Sequence, residues 1–178
     1  MALKFHHELS SGATLGQTQN YLALLKYYLS YGKHMALILD KQLDEAIFLE
    51  CDAGATESDA GNFELAEKHY LKSWDMFPEP KFGWNSSQVR LYAISDFYLG
   101  WKKLEKALEW VILVFKTELL EGDGTPQLKV GIIQFEMGNL DAAYASFRDA
   151  FTISGKRTFQ GFDKKYLNFY LANGKEVK

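Results

Sequence analysis

Apolar residues along this chain recur at three- and four-residue intervals with polar residues between them, a spacing that makes amphipathic helices rather than strands. Tyr21, Leu22, Leu24, Leu25, Tyr28 and Leu29 share one broad face and predict a helix over 17–32, closed at Gly32. A second helical stretch is predicted from near Met35 to Ala60. Its inner side is Leu43, Ala46, Ile47, Ala53 and Gly54, and its wet stripe is Glu45, Asp52, Thr56 and Asp59. A helix over 63–77 follows, with Ala66, Tyr70, Ser73 and Phe77 inward, stopped by Pro78-Glu79-Pro80 because proline cannot donate an intrahelical bond. Phe82 to Asn85 reads as a linker. Asn85 with Gln88 reads as a capping pair for a helix from Ser86 to about Gly100, with Leu91, Ile94, Phe97 and Tyr98 in the core. Its partner runs from Lys103 to about Leu119 and buries Leu104, Ala107, Leu108, Val111 and Phe115. After the loop Glu121–Thr125, Pro126 opens a helix over 126–137 carrying Leu128, Val130, Gly131 and Phe135. The next, 139–154, carries Leu140, Ala143, Phe147, Ala150 and Phe151, and Gly155 stops it. Asp163 caps a last helix, 163–173, with Tyr166, Leu167, Phe169 and Tyr170 inward.

Within this pattern one unit repeats. Gly61-Asn62-Phe63-Glu64-Leu65-Ala66 leads to Tyr70, and Gly138-Asn139-Leu140-Asp141-Ala142-Ala143 leads to Phe147. A weaker copy places Lys102, Ala107 and Val111 after Tyr98. A small residue five positions after the turn lets two helices approach closely, and an aromatic four positions further on fills the gap to the next pair. This is the pattern of a tetratricopeptide helix pair. The alanines are spaced by 41 and 36 residues, against a usual repeat of about 34, so the loops at 78–85 and 121–125 absorb the surplus. The fold class expected is all-α: an antiparallel helix-pair, tetratricopeptide-like, right-handed solenoid. One domain over 1–178 is expected, with an N-terminal extension over 1–40, three helix pairs over 43–154 and a capping helix over 163–173. A plain antiparallel bundle fits the offsets less well. Helix-pair arrays are binding scaffolds in nearly every case, so no enzyme is expected.

Composition narrows the setting. Hydrophobic residues are 47% of the chain, enough for a core and too many for a disordered chain. The single cysteine, Cys51, excludes an internal disulfide framework and suits a reducing compartment. The stretch from Met1 to Gly16 contains His6, His7 and Glu8 and does not read as a secretory leader. No apolar run reaches the roughly 18 residues needed to cross a bilayer. These features read as a soluble, cytoplasmic protein without a membrane partner. Charge is unevenly spread: residues 40–67 hold nine acids against Lys41 alone, a net of −8, whereas the chain from Lys156 onward is +4. Such asymmetry either steers a partner of opposite sign or forms a solvated face.

No catalytic or metal motif emerges. The histidines are His6, His7, His34 and His69, with no zinc-binding spacing, and Cys51 has no nearby partner in sequence. Gly122-Asp123-Gly124 is too short for a phosphate loop. Basic residues are too scattered to predict nucleic-acid binding, and no cofactor is expected. A concave surface is the remaining candidate. Aligning the copies places on it Phe48, Cys51, Ala55 and Ser58, then Val89, Tyr92, Asp96 and Leu99, then Thr125, Leu128, Ile132 and Phe135. These residues either face a partner or are core beneath the terminal helices.

A more specific likeness lies in Pro78-Glu79-Pro80-Lys81, Trp84, Ser86, Ala93-Ile94-Ser95-Asp96-Phe97-Tyr98, Leu128-Lys129-Val130-Gly131, Phe135-Glu136-Met137-Gly138-Asn139, Gly155, Phe159, Asp163 and Lys165-Tyr166. Over about residues 43–171 this resembles a bacterial family of tetratricopeptide-like proteins encoded beside polymorphic toxins of the Rhs and contact-dependent inhibition type. The chain departs from that family in having Ser95 for Gly and Lys129 for Arg, and residues 1–40 have no counterpart. The resemblance implies an immunity protein that neutralises a cognate toxin domain by occlusion. On that view Glu45, Asp52, Glu57, Asp59 and Asp96 supply charge to a basic toxin cleft, and Trp84, Tyr92 and Phe135 are anchors. Trp84 has a second reading, as a plug between helix pairs. The competing class is a peptide-binding scaffold or secretion chaperone without a toxin partner.

Overall fold

The computed structural model describes residues 36–174, so the predicted helix over 17–32 lies outside the described residues. Those residues form seven α-helices and no strand: α1 Lys41–Asp59, α2 Phe63–Asp75, α3 Ser87–Gly100, α4 Leu104–Leu113, α5 Thr125–Glu136, α6 Leu140–Ser154 and α7 Lys164–Asn173. This is an all-α fold. α1 packs on α2, α3 on α4 and α5 on α6, each joined by three residues, too few for anything but an antiparallel hairpin. Successive hairpins meet through α2 with α3, α1 with α3, and α4 with α5, and α7 packs against α6.

The three hairpin turns have one geometry. Gly61, Lys102 and Gly138 hold φ of +80°, +61° and +80°. In each turn the residue before them donates its N–H four residues back: Ala60 to Thr56, Trp101 to Phe97 and Met137 to Ile133. The residue after them reaches five back: Asn62 to Glu57, Lys103 to Tyr98 and Asn139 to Gln134. The left-handed residue thus closes the first helix and aims the second back along it. In the outer two hairpins the asparagine side chain adds a staple, Asn62 Nδ2 to Glu57 Oε2 at 2.8 Å and Asn139 Nδ2 to Gln134 Oε1 at 2.9 Å. Lys102 is the one non-glycine among them, in a conformation that crowds its Cβ.

Small residues decide how closely each hairpin closes. Ala66, Ala107 and Ala143 are fully buried. Opposite them, seven residues before each turn, stand Gly54, Ser95 and Gly131. A Cβ on Gly54 would lie 3.0 Å from the Tyr70 ring, and one on Gly131 only 2.5 Å from the Phe147 ring. The middle hairpin carries Ser95 where the others have glycine, and Val111 where they have a ring. The Ser95 hydroxyl donates to the Ala107 carbonyl at 2.9 Å, so the substitution brings its own buried hydrogen bond.

Several element ends differ from the sequence reading. The second stretch does not start near Met35. Residues 36–40 are extended, Leu37 bridges Trp84, and Asp40 caps α1 by accepting from Gln42 N at 2.9 Å. Asn85 and Gln88 form no capping pair. α3 begins at Ser87, without a side-chain cap, and Gln88 Nε2 points along the helix to the Tyr92 hydroxyl at 3.3 Å. α4 ends at Leu113 rather than near Leu119 and tightens into a 3₁₀ turn, Val114–Lys116. That shift buries Val114 and turns Phe115 outward. Leu140 is also exposed, because it is the first residue of α6 and precedes the contact with α5.

Two substitutions test this packing by urea denaturation. Lys102→Gly is expected to raise stability by about 0.5–1 kcal/mol, the left-handed strain relieved less the added chain entropy. Gly131→Ala is expected to lower it by about 1–3 kcal/mol through overpacking against Phe147. A loss from the first or no change from the second contradicts the turn and contact assignments.

Candidate functional site

Among the described residues no group of three His, Cys, Asp and Glu side chains is placed to hold a metal ion, and no helix is long and apolar enough to cross a membrane. His69 Nδ1 lies 2.7 Å from Glu50 Oε1, and Lys72 Nζ pairs with the other Glu50 oxygen at 2.8 Å, tying α2 to α1. Cys51 is buried, and burial pushes its thiol up, away from the reactive thiolate. Two surface regions gather most of the residues singled out from the sequence.

The first is a cleft of about 460 Å³ where α3 and α5 meet α7 and the residues before it. Its floor is Leu99, Ile132, Phe162 and Tyr166, and its rim carries Asp96, Lys102, Lys129, Glu136 and Lys165. Both of these rim acids are paired with a lysine. Lys129 Nζ pairs with both Asp96 oxygens at 2.6 and 2.7 Å and lies over the Tyr92 ring at 5.0 Å and the Phe162 ring at 5.7 Å. Only 13% of the Lys129 side chain is exposed, so Asp96 and the two rings replace most of its water. Glu136 accepts from Lys165 at 2.7 Å and from the Tyr166 hydroxyl at 2.8 Å. The Lys165 hydrogen bond first, then the Tyr166 hydroxyl, holds its carboxyl below the usual range against the opposing effect of burial.

The second is the outer face of α1. Glu45, Asp52 and Asp59 are exposed, and their side chains make no hydrogen bond or ion pair among the described residues. Glu57 is half-buried and holds the Asn62 staple. Between Glu45 and Asp52 stand two large apolar side chains, Phe48 and Leu49, more than half exposed.

The eight residues singled out from the sequence therefore fall in three settings. Glu45, Asp52 and Asp59 lie free on α1, with Glu57 beside them. Tyr92 and Asp96 come together through Lys129, and burial pushes the Tyr92 hydroxyl well above its ordinary value of 10. Trp84 and Phe135 pack. The Trp84 indole N–H donates to the Pro78 carbonyl at 2.7 Å while its ring joins the larger core cluster, which is the plug reading. Phe135 meets Tyr166 and Phe169 edge-on at 5.5 and 5.1 Å, so α7 covers it. Leu49 was missed by sequence reasoning, because it sits inside the acidic wet stripe where an apolar residue breaks the pattern.

Comparison with known proteins finds no matching family model and no matching curated protein.

Two measurements probe the electrostatics. Asp96→Ala leaves Lys129 largely desolvated without its anion and is expected to cost about 1 kcal/mol, discounted because Asp96 itself is half exposed. Adding Lys129→Met is expected to recover most of it, and no recovery in the double variant contradicts the pairing. Glu50, Glu67 and Glu136 all titrate below the ordinary 4.5, held down first by Lys72, Lys106 and Lys165 respectively. Their contribution is complete above pH 4.5 and is lost as pH falls through the lowered values. Stability is expected to drop below pH 4.5, less steeply in Glu67→Gln. An unchanged slope contradicts the linkage.

Proposed function

We infer that this chain is a non-catalytic, tetratricopeptide-like solenoid that binds another protein, and that it acts as an immunity protein occluding a cognate toxin domain. The observation that carries this reading is the row of unpaired acids on α1 with large apolar side chains exposed between them. Acids at the helix joints are neutralised by Lys72, Lys106, Lys129 and Lys165, whereas Glu45, Asp52 and Asp59 on α1 remain free beside exposed apolar side chains. The shared turn geometry supports the repeat, and the motif resemblance over about residues 43–171 supports the immunity role. An acidic surface with apolar tips complements the basic cleft of a domain that acts on nucleic acid, and complementary charge speeds association and fixes register. Neutralisation then needs no chemistry from this chain, only a complex that outlasts the toxin's encounter with its substrate.

A second reading, a scaffold that holds an extended peptide, draws on the cleft between α3, α5 and α7. Its apolar floor and charged rim suit alternating side chains.

Capture with the tagged full chain from its native strain, at low and high salt, separates them. The immunity reading expects a stoichiometric, salt-sensitive complex with the C-terminal domain of a large secreted protein, and relief by this chain of the toxicity of that domain when expressed alone. Assorted clients, or a captured domain whose toxicity is not relieved, sink it.

A further inference from the structure

The outer face of α1 sets two exposed apolar side chains between acids that have no cation partner. Phe48 is 52% exposed and Leu49 58%. Glu45 lies one turn before them and Asp52 one turn after, at the three- and four-residue offsets that make helix side chains neighbours. Neither carboxylate has an ion pair among the described residues. The Phe48 ring is held from one side by the Arg90 guanidinium, 5.4 Å from its centroid, and Val89 beside Arg90 is 57% exposed. These apolar tips stand on a 19-residue helix whose other side is locked to α2 by Ile47, Cys51 and Gly54. They are therefore presented in fixed positions, and a partner seating them faces a small ordering cost.

We propose that α1 is the docking ridge of this protein and that its occupant is a protein surface with an apolar pocket rimmed by lysine and arginine. This rests on the partner-binding reading above and names the face and the partner's chemistry. Phe48 and Leu49 fill the pocket, while Glu45 and Asp52 pair with cations on either side of it. Glu45, Asp52 and Asp59, unpaired where Lys72 and Lys106 neutralise Glu50 and Glu67, draw a basic surface in from a distance. The same charge repels nucleic acid and anionic lipid, which leaves protein as the class of partner. The cleft at α3, α5 and α7 lacks this asymmetry, since Lys129 and Lys165 already neutralise Asp96 and Glu136.

The test uses a defined probe: a synthetic amphipathic helix with leucine on one face and lysine on the other, and its counterpart with glutamate for lysine. Each is titrated into the isotope-labelled full chain. Saturable binding of the lysine peptide is expected, with amide shifts centred on residues 41–59 and affinity falling as salt rises. The glutamate peptide is expected not to bind. Phe48→Ala, an uncharged change at an exposed site, is expected to weaken binding by about tenfold. Glu45→Lys with Asp52→Lys is expected to abolish it, and Leu49→Ala serves as a second truncation. Shifts centred on the cleft, spread over the surface or confined to residues 1–35 overturn the proposal. So does a Phe48→Ala chain that binds as tightly as the parent. If the peptide maps to α1 but no toxin is captured, the immunity reading fails and the ridge stands. If a toxin is captured and still binds after Phe48→Ala and Glu45→Lys, the ridge fails and the immunity reading stands.

Discussion

A large ring can lie flat between two antiparallel helices only where the facing helix gives up its side chain. In this protein that constraint is met by glycine in the outer two hairpins, at Gly54 under Tyr70 and at Gly131 under Phe147. Ser95 replaces the glycine in the middle hairpin, and Val111 the ring. Because each hairpin closes against an aromatic or a branched side chain at the same register, the turns seven residues later share one geometry. The left-handed residue at 61, 102 and 138 is the consequence of bringing the second helix back at that spacing. Buried contacts then grow outward from these points. Ile47, Leu91, Ile94 and Val111 join the first two hairpins, and Leu128, Phe147, Phe159 and Tyr166 join the third to α7.

Polar residues fasten the joints that packing creates. Glu50 links α1 to α2, Glu67 gathers Tyr98 and Lys106 at 2.6 Å each, Asp96 holds Lys129, and Glu136 holds Lys165 with Tyr166. Each is a carboxylate half-shielded by helices and answered by a lysine, so each favours one arrangement of neighbouring elements over others. Glu45, Asp52 and Asp59 on α1 have no such lysine, and Phe48 and Leu49 stand exposed among them.

Much of this was legible from residue spacing. The helix read over 63–77, which the structure ends at Asp75, the buried alanines and the Asp163 cap follow from local rules. The misreadings have physical causes. Asn85 and Gln88 look like a capping pair, but Gln88 turns to Tyr92, one turn further along its own helix, rather than back to the helix start. Phe115 has helical spacing from Val111, but the backbone tightens at Val114 and rotates it outward. The entry into α1 is extended because Leu37 exchanges backbone hydrogen bonds with Gly83 and Asn85, at 2.7 and 2.8 Å, across more than forty residues of chain. On the surface, the acids of α1 were visible in the sequence, whereas Asp96 reads as a free acid until the fold brings Lys129 to it.

On the proposed reading the chain acts by what it covers, so the face it uses matters more than any single side chain. The most direct measurement is the structure of the chain bound to whatever domain capture from its own strain yields. The account predicts a basic surface seated on α1, with the Phe48 ring inside an apolar pocket and cations beside Glu45 and Asp52. A partner lodged against Asp96 and Lys129, with α1 left bare, would contradict it.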